Sequence, residues 1–270
     1  VVIAIGVVAG VCGGLLGTGG SIVMIPAITE ALGPNQHLYQ ATAMCMNFCV
    51  VVPAVLHHQK VGAVHWSVIK RCAPLAGVAV LVGVCLSEQG MFSGRAEPNL
   101  RMLFGFFLIM NAVLEIWRAC VRDKRINDRF FLGEKSSPIT VSWMRAVGVA
   151  VPMGLMAGIL GVGGGVLAVP LQRRLLGIGI RSAIANSAAL IVTTSAIGAT
   201  YKNYSFQQYH GDWSEPATLA VMLIPGAILG SMVGSRLTHQ LPKRWIKAAF
   251  LVLLLVAGSR MMLQALRDMS

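Results

Sequence analysis

Two short glycine runs carry the most suggestive chemistry in this chain, Gly17-Thr18-Gly19-Gly20-Ser21 and Gly161-Val162-Gly163-Gly164-Gly165. Each interrupts an apolar stretch, where glycine costs about 1 kcal/mol per residue relative to alanine in a helix interior. The runs therefore mark helix breaks. At membrane depth an unwound backbone survives only where protein buries it or where it lines a cavity. The N–H groups that open the helix after such a break lack intrahelical acceptors and lie at the positive end of the helix dipole, so they can seat a compact anion without a fixed lysine. For a single G-x-G-G, close helix packing through small residues is the stronger explanation. Two copies, each followed by a proline at the same distance (Gly20 to Pro26, Gly164 to Pro170), favour a site. These prolines are expected to end the short helices by removing a backbone donor.

Other polar residues fall on the apolar runs: Thr42, Asn47, Asn186, Ser187, Thr193, Thr194 and Ser195. Each suits a substrate path or interhelical hydrogen bonding equally well. Thr42, Asn47, Asn186 and Ser187 are the expected side-chain lining, because Asn186-Ser187 repeats the position of Thr42-Ala43 after the glycine run. Among acidic residues only Glu30 and Glu115 touch apolar segments, which argues against a carboxylate-based proton pump. The six histidines fall in expected loops or helix ends, so neither a metal site nor a cofactor is expected. Neither H-E-x-x-H nor G-x-S-x-G occurs, and no enzymatic activity is expected.

The elements that must hold these residues are membrane helices. Of 270 residues, 56% are hydrophobic and 12% charged, with a mean hydropathy of +0.71; soluble domains carry about 25% charge. Runs free of Asp, Glu, Lys and Arg extend over Val1–Thr29, Ala31–Gln59, Ala146–Gln172, Ser182–Tyr201 and Pro216–Ser235. Several reach the length of about 20 residues that crosses a bilayer. The net charge of +12 comes from basic residues fringing these runs, the habit of cytoplasmic loops and not of a nucleic-acid-binding face. The partners expected are a small anion and the lipid bilayer, with no nucleic acid; association into a homo-oligomer is compatible with the sequence. Six cysteines, without a C-x-x-C pair, read as small buried hydrophobes. The chain opens Val1-Val2-Ile3 without methionine, so its first residue is expected to lie downstream of the translational start.

The chain also repeats itself. Gly14-LLGTGGSIVMIP-Ala27 matches Gly158-ILGVGGGVLAVP-Leu171 at an offset of 144 residues, and Trp66, Pro74 and Gly83 find counterparts in Trp213, Pro225 and Gly234. This divides the chain into a first transmembrane repeat, 1–117, a basic linker, 118–145, expected to be cytoplasmic, and a second repeat, 146–270. Each repeat reads as a short helix, a glycine break, a second short helix and three longer helices. The second piece, about eight residues, rises only about 12 Å against a core of about 30 Å. If the short pair dips in and returns, seventeen of the 22 basic residues fall inside; a single crossing keeps only thirteen there. The returning pair leaves three crossings per repeat, an odd number, so the copies are inverted. The expected fold is thus an all-α polytopic membrane protein of two homologous inverted repeats, about eight transmembrane segments, with a site near the midplane as in secondary transporters.

The doubled motif G-x-L-G-x-G-G-[SG], a short apolar stretch and proline resembles the sulfite exporter TauE/SafE family of membrane permeases over nearly the whole chain, including the segment Gly62 to Trp66 and Trp213. The resemblance implies a multi-pass permease of the cytoplasmic membrane for sulfite, an organosulfonate such as sulfoacetate, or a related anion. Relatives often carry Thr-Ser after the first short helix, where this chain has Thr42-Ala43 and Asn186-Ser187. Break geometry gives the anion; only the resemblance supplies sulfur. Alternating access between the two glycine runs is the expected mechanism, against a passive anion channel or a sensor that binds the anion without moving it.

Overall fold

The computed structural model describes residues 1–16, 19–92, 94–121, 141–240 and 243–269. Gly17, Thr18 and most of the expected linker (122–140) lie outside the described residues. Ten α-helices account for nearly everything described, and no strand occurs there. They are α1 (Val2–Leu16), α2 (Ser21–Leu32), α3 (Gln36–Lys60), α4 (Trp66–Ser87), α5 (Glu97–Val121), α6 (Trp143–Leu160), α7 (Gly165–Leu175), α8 (Ile180–Tyr209), α9 (Ser214–Gln240) and α10 (Lys243–Met269). Among the described residues five helices are long and apolar enough to cross a membrane, α3, α4, α6, α8 (from Ser182) and α9 (to Gly234). Leu81, Phe106, Val221, Leu229 and Val252 are exposed on the outside of the bundle, a surface that suits lipid. Trp66, Trp143 and Trp213, also exposed, stand at helix beginnings where an interfacial aromatic belt forms. The protein is an all-α, multi-pass membrane protein.

Glycines set which helices touch. Along α1, Gly6, Gly10 and Gly14 meet the backbone of Leu223, Ala227 and Ser231 of α9, and a Cβ on Gly10 would lie 2.1 Å from the Ala227 carbonyl oxygen. Along α6, Gly154 and Gly158 meet Ala76 and Val80 of α4, where a Cβ on Gly158 would lie 2.3 Å from the Val80 carbonyl oxygen. Small residues let these backbones approach within a distance that any side chain forbids. In both pairs residue numbers rise together, so the helices run parallel. Gly158→Leu is expected to prevent the α4–α6 contact, giving aggregated protein by size-exclusion chromatography in detergent, whereas Val78→Leu, at an exposed position of α4, is expected to leave the elution unchanged.

The central helices α3 and α8 run antiparallel, since Asn186 reaches His65 just beyond α3, while Gly198 packs on Met44 and Lys202 reaches His37. Because α9 reverses after α8 and α1 is parallel to α9, α1 and α3 point the same way. Between them α2 must turn back, and Tyr39 at the start of α3 donates to the carbonyl of Gly33 at the end of α2 (2.7 Å). The same reasoning makes α6 and α7 a returning pair that enters from the opposite end. Pro26 and Pro170 do not end the short helices as expected. Pro26 lies inside α2 and Pro170 inside α7, each with about five residues of helix beyond it. Each forfeits one hydrogen bond to a residue of the first turn, and packing against neighbouring helices carries the segment on.

Candidate functional site

The two breaks meet at one side chain, Asn47 of α3. Gly19 has φ of 81°, and a Cβ there would be 2.8 Å from Asn47 Oδ1. Gly163 has φ of 69°, and its Cβ would be 3.1 Å from Asn47 Nδ2. Both positions thus disfavour a side chain twice, by the left-handed backbone and by the amide that fills the space. Asn47 anchors the start of α2 through its N-cap residue and the residue after it. The Gly20 N–H donates to its Oδ1 (3.1 Å), and its Nδ2 donates to Ser21 Oγ (3.0 Å). All of this is buried.

The second break is held by α8. Gly161, Gly163 and Gly164 have positive φ, and Gly164 is the N-cap of α7 without any side-chain cap. Thr194 Oγ1 is 3.0 Å from the Gly163 carbonyl, and Ser187 Oγ donates to the Gly165 carbonyl (3.3 Å). These contacts satisfy acceptors of the break. The first donors of α7 have no acceptor inside the helix. Ser195 Oγ, fully buried and with no hydrogen-bond partner, lies 3.4 Å from where a Gly163 Cβ would be. A buried hydroxyl without a partner is costly. A ligand with hydrogen-bond acceptors would answer it.

The structure brings together Gly19, Gly20, Ser21, Asn47, Gly163, Gly164, Gly165 and Ser187, with Gly161 and Val162 on the approach to the second turn. It places two expected lining residues elsewhere. Thr42 Oγ1 is bonded back to the Leu38 carbonyl (2.9 Å) and faces the carbonyl of Pro216 (3.4 Å). Asn186 Oδ1 accepts from the His65 N–H (2.7 Å) at the start of α4. Thr194 and Ser195 complete the junction instead. The helical spacing of Ser187, Ile191 and Ser195 puts both serines on one face of α8, a pattern readable in the sequence. A crevice lined by Gly13, Gly14, Val50, Val51, His58 and Ser231 lies one to three turns from Asn47 towards the end of α3.

Because Asn47 touches both turns, its charge is a sensitive probe. Asn47→Asp keeps an acceptor for Gly20 but sets a negative charge beside an anion seat, and is expected to raise KM for anion uptake about tenfold or more. Asn47→Gln, which adds one methylene and no charge, is expected to raise it less; the comparison is made by initial rates in proteoliposomes.

A second buried polar group lies at the other end of α3 and α8. Lys202, fully buried, donates to Glu88 Oε1 (2.6 Å), Ser87 Oγ (2.9 Å) and His37 Nδ1 (3.0 Å). His37 Nε2 donates to the Phe92 carbonyl (2.9 Å), and His210 Nε2 donates to Glu88 Oε2 (2.7 Å). Burial would raise the Glu88 carboxyl, but the hydrogen bond from His210 and the Lys202 ammonium outweigh it and hold the group far below the usual carboxylate range. Ligand atoms of His37, Glu88 and His210 lie within 4.8 Å of one another. The cation they serve here is the ammonium. The expectation that only Glu30 and Glu115 among the acidic residues touch apolar segments is corrected at Glu88, which ends α4 with its side chain 8% exposed.

Helix breaks that meet inside an all-helical membrane protein are a recurrent feature of secondary transporters. The chain belongs to the sulfite exporter TauE/SafE family, whose profile matches residues 2–261. It is 30% identical over 264 residues to a probable membrane transporter protein, MamO, of Magnetospirillum gryphiswaldense, covering 90% of this chain and 41% of that protein. It is 32% identical to the MamO protein of Paramagnetospirillum magneticum, again over 41% of that protein, so the chain spans about two fifths of the length of these relatives. To the probable membrane transporter protein YunE of Bacillus subtilis it is 24% identical over 98% of both chains. No solved structure matches the chain.

Proposed function

We propose that the chain is a secondary transporter that moves a small sulfur-containing anion, sulfite or an organosulfonate such as sulfoacetate, across the cytoplasmic membrane. The observation that carries this reading is the junction at Asn47, where two glycine turns entering from opposite ends meet and the second lies beside an unpartnered Ser195 hydroxyl. Backbone donors at the starts of α2 and α7 hold the oxyanion, and family membership points to sulfur. The halves 1–117 and 146–270 act as inverted repeats joined by a cytoplasmic linker, and rocking of one against the other opens the junction to each side in turn. The crevice beside Gly13 and His58 supplies the approach from the end of α3 that carries Lys60.

The test is flux of labelled sulfite and, separately, labelled sulfoacetate through purified protein in liposomes. Saturable uptake, accelerated by the same anion inside, is the result expected of a carrier. Large single-channel currents would replace the carrier by a pore. Binding of either anion without any flux would replace it by a sensor.

A further inference from the structure

We propose that the buried cluster of His37, Glu88, Lys202 and His210 is a proton site that couples passage of the anion to entry of a proton. The inference rests on the transporter reading above and names its coupling ion. Four observations carry it. The cluster joins the two halves of the chain, with His37 and Glu88 from the first and Lys202 and His210 from the second. Its members are graded in exposure, since the His210 side chain is 18% accessible whereas Lys202 is 0% and His37 2%. The imidazoles of His37 and His210 are stacked with centroids 4.1 Å apart, so one can take a charge that the other feels. Finally, the helices that carry the cluster also carry the anion site. Ser195 and Lys202 lie two turns apart on α8, about 10 Å, and His37 and Asn47 lie on α3.

Lys202 spends its three N–H groups on Glu88, Ser87 and His37 Nδ1, which fixes His37 as a neutral ring with its proton on Nε2. Glu88 is already shared, one oxygen on the ammonium and one on His210. A proton arriving from the surface meets the imidazole of His210 first, the most exposed member of the cluster. The new imidazolium competes with Lys202 for a single carboxylate. The clasp between the halves then carries one uncompensated positive charge inside the protein, and an anion at the glycine turns, on the same helices, compensates it. Anion and proton therefore favour each other and move together. Among the described residues the other ionisable groups at this end are these: Glu97 of α5 accepts from the Gln36 N–H, Arg101 pairs with Asp268, Asp212 accepts from the Ser214 N–H, Glu215 begins α9, Tyr39 donates to Gly33, and Tyr201 and Tyr209 flank Lys202 and His210 along α8.

The experiment uses the full chain in liposomes with labelled sulfoacetate, which stays fully ionised across neutral pH. With acid outside and the membrane potential held at zero by valinomycin and equal potassium on both sides, so that the net negative charge moved by a dianion and one proton does not oppose uptake, one pH unit is expected to drive accumulation about tenfold above equilibrium for one proton per anion. His210→Gln is expected to exchange sulfoacetate while losing the accumulation. Wild-type protein that exchanges the anion but ignores the pH gradient, or a His210→Gln variant that accumulates like wild type, overturns the proton site and leaves the transporter standing. Absence of any sulfoacetate movement and binding overturns both. A second measurement does not depend on flux. In weakly buffered detergent solution near pH 7, adding sulfoacetate is expected to make the wild type take up protons and His210→Gln not to; binding without proton uptake in the wild type counts against the site.

Discussion

Replacing Gly19 and Gly163 together by leucine is expected to reduce anion flux by about a hundredfold or more, the scale on which removal of preorganised backbone donors acts, while the protein still elutes as a folded species. Both residues have left-handed φ, at 81° and 69°, where an L-residue costs about 1–2 kcal/mol. A side chain at either would also meet the Asn47 amide, within 2.8 Å at Gly19 and 3.1 Å at Gly163. The amide is a side chain and can turn aside, which is why folding survives. Turning aside breaks its bonds to Gly20 and Ser21 and fills the junction with carbon. The single substitutions are expected to show intermediate rates, and retained folding is checked by size-exclusion chromatography and thermal unfolding.

The second large effect concerns Lys202. Lys202→Met leaves Glu88 buried without its ammonium, and loss of one partner from such a pair costs about 3–5 kcal/mol. The single variant is expected to unfold at markedly lower temperature. Glu88→Gln/Lys202→Met removes both charges and is expected to recover most of that loss, because a neutral pair carries no desolvation cost. The sign of the pH dependence follows from the depressed Glu88 carboxyl. Its stabilisation is present above the unfolded value of about 4.5 and is lost only as pH falls through the much lower folded value. Between pH 5 and 8 Glu88 therefore contributes no slope to the stability of the wild type. Thermal unfolding of the wild type and the two variants across that range checks both statements.

The glycine breaks and the polytopic helical architecture were legible in the sequence because their causes are local. A glycine cluster inside an apolar run has few explanations, and composition alone demands a membrane. The pairing of α1 with α9 and of α4 with α6 uses the spacings of Gly6, Gly10 and Gly14 and of Gly154 and Gly158. Those spacings are visible, but which helix answers them is decided by tertiary packing. Within the junction, the repeat offset drew attention to Thr42 and Asn186, the positions that match between copies. The repeat counterpart of Asn47 is Ile191, so the residue that touches both turns has no echo in the second half. Lys202 was hidden differently. It stands at the edge of the uncharged run Ser182–Tyr201 and reads as the charge that ends a segment, yet α8 continues to Tyr209 and draws the lysine inside. Its partners at 37, 87 and 88 come from the first half of the chain, and no local pattern links them to it. Pro26 and Pro170 were misleading for the opposite reason, a strong local rule overruled by neighbours.

The measurement that tests the account most directly is a crystal structure of the protein soaked in selenite, whose selenium marks the position of a sulfite-like oxyanion by anomalous scattering. The account predicts a peak between the Gly19–Gly20 and Gly163–Gly165 turns, within about 4 Å of Ser195 Oγ, the distance set by a hydrogen bond plus one selenium–oxygen bond. A peak beside Lys202, or anywhere outside the two turns, would contradict it.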